Sequence, residues 1–440
     1  MSVPQEDYVL RLRWADPSAL TSNVLDLLTV SGDETVALVA WEAQSGGAFL
    51  EAGFSVIRFT QAGDVLWQST HTLCEMGDFS DCGQWVLRYG AIAVDGDRYV
   101  VIGTIFDASN ANVTDSIGVG IDEGGAVAWT KRYQTTRAIG RAKGIVPLAA
   151  PGKFLVASRN AAETDTWLYG IDRNGALIGL EMRFFDKVLQ RLRALPTQGI
   201  FVLGTNNDDP SHPLGWILNI DPATGKRAWE RTYDPADGTT LRWYDAAEGE
   251  GIVTVIGNAG AIAKPLLATL ADNTAPDVGN VRAAFRPVSD DSGIFLNGIA
   301  NFPAPASTSA SMSSICGEFD GAAWHIAIDD AVNILWQKKY NHGRSSASLT
   351  PILFPNADIV VAGGLAIVPG DPLRGLVVQS KAAIGSPGAF ACGEETSAVF
   401  DPADLSSDPI KSPFKDLAMI ASDVFVNQAP LIEVEEGCLP

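Results

Sequence analysis

The chain is 440 residues long, 46% hydrophobic and strongly acidic, with 52 Asp and Glu against 31 Lys and Arg and a formal net charge of −21. That charge is repelled by phosphate backbones, which excludes nucleic acid and anionic membrane as main partners. No run approaches the roughly 20 apolar residues of a membrane span, and the opening MSVPQEDYVLRLRW lacks the basic and apolar regions of a secretory signal.

In chain order, the first predicted element is a strand over about residues 8–16, and it stands outside the pattern that follows. From NVLDLL onward the sequence repeats one unit. A short strand and a turn carrying Gly, Asp or Pro lead into an apolar β-branched strand ending in small residues, as in TVALVAW, RYVVIGT, KFLVAS and GIFVLGT. A hairpin then follows, as in DSIGVGIDEGGAVAWTKRYQTT (115–136), DTWLYGIDRNGALIGLEMRFFD (165–186) and LGWILNIDPATGKRAWERTYDP (214–235). Further copies begin at Gly53 and Ala322, with degenerate ones at Pro265 and Arg374. Trp67, Trp129, Gly179, Trp229 and Trp336 share one place in the unit, at intervals of 62, 50, 50 and 107 residues, the last being two periods.

Four strands, a to d, repeated every 50 residues or so without credible helices predict an all-β, seven-bladed β-propeller of four-stranded antiparallel blades over residues 1–393. The N-terminal strand is left over as a strand d, so it is expected to close the last blade beside residues 374–381. From about Glu394 the repeat breaks. Ser412 and Pro413 form a helix start ahead of FKDLAMIASDVF, and 394–440 reads as a C-terminal extension packed on the propeller or docked on an assembly partner.

The stretch DRYVVIGTIFDASNANVTDSIGVGIDEGGAVAWTKRY resembles the bacterial propeller repeat of secreted or surface-anchored proteins, which ends in an Asp-x-x-Gly turn and Trp-x-x-x-Tyr. Trp129/Tyr133, Trp229/Tyr233 and Trp336/Tyr340 match that ending, while His71 replaces Tyr after Trp67. The resemblance implies a WD40-like scaffold and binding module in an extracellular or cell-surface setting.

The repeated aromatics, including Trp167, Trp216 and Trp324 in strand c, are expected to pack between blades. The repeated acids Asp122, Asp172, Asp221, Asp272 and Asp329 are expected to hold the c–d turns through their own backbone amides. Trp85 and Trp243, placed just before strand a, are the aromatic candidates for ligand contact. Asp107 and Asn110 in FDASNANVTD, Asp208, Asp209 and His212 in NNDDPSHP, and Asp237 are the polar ones. No cofactor is implied, and calcium is the one ion these acids would suit. Cys74 and Cys82 flank a single predicted loop and are disulfide candidates. His325 alternates within strand c and reads as structural.

No nucleophile motif, phosphate cradle or metal spacing is present. The expected function is therefore a non-catalytic propeller that engages a protein or glycan through the face carrying the b–c and d–a loops. Length accumulates on that face, and its acids predict an acidic surface with Trp85 and Trp243 as anchors. The alternatives are a propeller enzyme, either glycan-cleaving or a quinone-dependent dehydrogenase, and a structural subunit of a large assembly.

Overall fold

The computed structural model describes strands and most turns between residues 8 and 436, with side chains described only within 22–337. Segments 1–7, 15–18, 75–84, 108–113, 136–139, 273–277, 288–293, 303–311, 341–349, 354–358, 367–373, 382–393 and 437–440, with shorter stretches between strands, lie outside the description. So do Asn110, Cys82 and the side chains of Asp107 and Cys74.

The described chain is all β. Six blades occupy 19–74, 85–135, 140–184, 187–235, 241–287 and 294–340, each pairing its strands antiparallel in the order a-b-c-d. A further sheet joins Thr350–Leu353, Ile359–Ala366 and Arg374–Lys381 to the N-terminal strand Tyr8–Trp14, and its backbone pairing alone is described. In it Tyr8 pairs with Gln379 and Leu12 with Gly375. The strands are rich in Val, Ile and Phe, which suit pleated surfaces buried on both faces. Strand b of the first blade buries Val36, Leu38 and Val39 completely.

The repeated hairpin residues tie each blade to the next. The indole of Trp129 donates to the Arg173 carbonyl at 2.7 Å and the Tyr133 hydroxyl to the Gly175 carbonyl at 2.9 Å, both in the next blade's c–d turn. Two blades on, the Tyr233 hydroxyl meets the Gly279 carbonyl at 2.9 Å. In the first blade His71 replaces the Tyr. There Ser69, 2.6 Å from His71 Nε2, makes a short hydrogen bond to the Gly125 carbonyl. The turn acids bond their own backbone: Asp122 accepts from Ala126 N at 2.8 Å, and Asp172 from Asn174 N and Ala176 N at 2.8 and 2.9 Å.

To the four strands of each blade the C-terminal segment adds a fifth at the outer edge, so that every described sheet has five. Leaving the composite sheet, the tail visits the blades in reverse order. Glu394–Glu395 pairs with the sixth blade, Phe400–Pro402 with the fifth, Leu405–Pro409 with the fourth and Phe414–Lys415 with the third. Met419–Ser422 and Phe425–Gln428 follow on the second and first, and Ile432–Glu436 pairs with Tyr8–Trp14. The expected helix after Ser412 is thus replaced by short strands. Unpaired N–H and C=O groups on each strand d outcompete local helix propensity.

Candidate functional site

The innermost strand of each of the six blades is irregular at one place. In Ala19–Thr29, Trp85–Asp95, Gly140–Pro147, Lys187–Leu195, Leu241–Gly249 and Ile294–Phe302 the register with strand b skips a single residue. The skipped residues are Leu25, Arg88, Lys143, Gln190, Tyr244 and Asn297. The residue before each, from Val24 to Leu296, is buried, whereas Arg88 is exposed and the other five are half-buried. A bulge turns an extra side chain out of the ladder without disturbing the packed residue before it. Repeated around the propeller, it sets a ring of unlike side chains about the axis.

Charged groups gather at this level. Asp26 and Asp245 each follow a bulged residue, and each accepts an amide from the neighbouring inner strand. Ile92 N lies 3.0 Å from Asp26, and Ile299 N lies 3.1 Å from Asp245. Arg191 lies between them, 3.6 Å from Asp26 and 3.9 Å from Asp245, while Arg193 reaches Asp245 at 3.1 Å. Asp26, Lys143, Arg191 and Arg193 line a cavity of about 260 Å³ whose apolar wall includes Ile92, Val94 and Ile145. Burial raises the Asp26 carboxyl above its usual range, against the lowering pull of Arg191.

Cations also gather on the side of the b–c and d–a loops. Arg88 and Arg141 both sit over the Phe106 ring, each 5.4 Å from its centroid, and Lys143 Nζ sits 3.6 Å from the Tyr89 centroid. Arg159 bonds Gln190 Oε1 at 2.7 Å and Glu163 at 2.9 Å, and Arg141 makes a short bond to the same carboxylate. Glu163 holds a left-handed φ of 57°, in a loop tied by Asn160 to Thr164 N at 2.8 Å and Asp165 N at 3.1 Å. Such strain persists only where the surroundings fix it. Burial works to raise Glu163, but the Arg141 hydrogen bond and the charges of Arg159 and Lys143 outweigh it and hold the acid below its usual range. Burial lowers Lys143 to about 7, reinforced by Arg159 and Arg141 and opposed by Glu163. Among the described residues, neither Arg88 nor Lys143 has a carboxylate at ion-pair distance.

The residues singled out from sequence fall elsewhere. Trp85 and Trp243 lie within strand a, not before it, and are 7% and 0% exposed. Trp243 stacks edge-on against Tyr233 at 5.6 Å, so it serves the inter-blade core and is closed to a ligand. Asp208 pairs at 2.7 Å with Lys187, whose own side chain is 2% exposed. Asp209 and Asp237 cap their own loops through Ser211 N at 2.9 Å and Thr239 N at 3.1 Å. His212 lies 3.1 Å from Asp234. Asp107 ends its strand opposite Trp85 in register. Trp85 and Trp243 are therefore corrected from ligand anchors to packing residues, Asp208 and Asp209 stay exposed, and the inner strands add a basic cluster. Its sequence signal was the isolated charge inside an apolar inner strand, as in NVLDLL, GRAKGIVP and KVLQRLRAL. Among the described residues no three His, Cys, Asp or Glu side chains converge as metal ligands, and no helix is long and apolar enough to cross a membrane.

No protein-family model matches the chain, and no curated protein matches it. Solved structures are similar in fold. The endosialidase of phage phi92 superposes with a TM-score of 0.44 at 11% identity, covering 90% of this chain and 72% of its own. An α-L-arabinanase of Penicillium chrysogenum complexed with arabinobiose gives 0.43 at 11%, covering 85% and 98%. The β-propeller domain of the Trilobed protease from Pyrococcus furiosus gives 0.31 at 9%, covering 69% and 98%. The strand pairing itself makes this chain a β-propeller.

Proposed function

We propose that the protein is a propeller of seven blades, the composite sheet closing the ring, and that it binds an acidic glycan at the mouth of its axial channel. The observation that carries this reading is a reversal of charge. In a chain of net charge −21, the axis and its mouth gather Arg88, Arg141, Lys143, Arg159, Arg191 and Arg193 against Asp26, Glu163 and Asp245. Cations held between low-dielectric walls focus a positive potential that draws in carboxylates. Guanidinium forks bind carboxylates in pairs. An extracellular or surface setting suits such a ligand.

The test compares polygalacturonate with its methyl ester, which keeps the sugar backbone and removes the charge. The acid should bind and the ester should not, and Arg88→Ser with Lys143→Met should weaken binding by about tenfold or more. Equal binding of both polymers, or unchanged binding by that variant, overturns the proposal.

One observation favours a second reading, cleavage of the glycan. Asp26 is pushed up on the wall of the cavity, as a general acid requires. Release of fragments from a labelled acidic oligosaccharide, lost in Asp26→Asn with binding retained, would make the protein an enzyme.

A further inference from the structure

The tail does more than cover sheet edges. Its strands are short, forming between two and five register pairs each, so none would hold alone. Linked in one chain, they act as a multivalent ligand, each docked strand raising the effective concentration of the next.

The backbone register also pairs positions whose residues carry opposite charges at several stations. Glu394 and Glu395 stand opposite Lys339 and Lys338, Asp401 opposite Arg286, Glu433 opposite Arg13 and Glu435 opposite Arg11. Arg183 and Lys415 form a like-charged pair. A slip of one residue at the last station would set Glu433 and Glu435 opposite the apolar positions between the arginines. That last station is the strand Tyr8–Trp14, where both ends of the propeller sequence meet. A propeller opens most readily where hydrogen bonds alone close it, and here that seam runs inside the composite sheet, between Arg374–Lys381 and Tyr8–Trp14.

We propose that residues 394–440 are a ring lock, a belt set in register by opposite charges whose final strand clamps the joint at which the ring closes. The lock is independent of what the axial mouth binds. It leaves the outer edges of the blades unavailable to other chains and makes the joint sensitive to salt.

The experiment uses the full chain and amide hydrogen exchange read by mass spectrometry. Glu433→Arg with Glu435→Arg should speed exchange in 8–14 and 374–381 by about tenfold, since two favourable cross-strand pairs become repulsive. Exchange in Lys187–Leu195 should stay unchanged, which certifies the fold. Adding Arg11→Glu and Arg13→Glu restores the opposite charges and should restore slow exchange. Unchanged exchange at the joint after the first reversal, or no rescue by the second, overturns the proposal. A second measurement needs no charge change. A protease site inserted between Gly393 and Glu394 is cut after folding. The released segment should co-elute with the ring at low salt, and its separation there overturns the belt.

Discussion

The inner and outer strands of a blade come from one repeating unit, yet they do opposite work. On the outer side, Trp129 with Tyr133, and Tyr233 in the fourth blade, sit at fixed places in the repeat and grip the next blade's turn. Toward the axis the repeated feature is a backbone irregularity, and the residue it presents changes from Leu25 to Arg88, Lys143, Gln190, Tyr244 and Asn297. Repetition of a side chain marks assembly. Repetition of a backbone shape with variable side chains marks a place where chemistry can differ from blade to blade.

If the residues that pack blade on blade are purely structural, breaking them should cost stability and spare binding. The largest effect is expected for Trp243→Ala, which empties a fully buried site against Tyr233. About 3–5 kcal/mol should be lost, read from urea denaturation midpoints. A smaller loss is expected for Asp208→Asn. Lys187 keeps its bond to Asn206 Oδ1 at 2.8 Å, and Asp208 is well exposed, so about 1–2 kcal/mol is the expectation. Tyr133→Phe removes one hydroxyl donor to Gly175 and should cost about 1 kcal/mol. Acidic-glycan binding should survive Asp208→Asn and Tyr133→Phe, and its loss in either would erase the division between rim and axis.

Two pH dependences sharpen the same contrast. At the axis, Lys143 carries its charge below about 7 and loses it above, amid Tyr89, Arg141, Arg159 and Glu163. Binding of polygalacturonate should therefore weaken as pH rises through 7, and Lys143→Arg should flatten that fall. Away from the axis, burial lowers His71 to about 4 and His325 to about 3. Their folded values lie below the unfolded value of 6.5, so the unfolded chain takes up protons first. Stability should drop as pH falls from about 6.5 toward 4, and less steeply when both histidines are replaced by Gln.

Much of this rim was legible in the sequence because its signals are local. Asp122 and Gly125 specify a turn within four residues, and Trp129 and Tyr133 recur beside it. The axial bulges were not legible, because a bulge is a mismatch between two strands and leaves no local composition. The charge of Lys143 in GRAKGIVP hints at an inner position, but nothing in that stretch marks the residue as bulged. Trp85 and Trp243 misled for a related reason. A large aromatic beside a loop-like segment reads as exposed until the neighbouring blade, with Tyr233 and the close-packed Gly215, is known to cover it. The tail misled through context, since MIAS and FVNQ pair only because distant strands offer edges.

The ring of bulges has a consequence for how such a protein changes over generations. Each presented residue projects from a strand whose preceding neighbour, from Val24 to Leu296, stays locked in the blade. A substitution at Lys143, Gln190 or Tyr244 can thus alter what the axis recognises with little repacking of the layers behind it. Selection can retune specificity one blade at a time, along positions decoupled from the stability that keeps the scaffold alive.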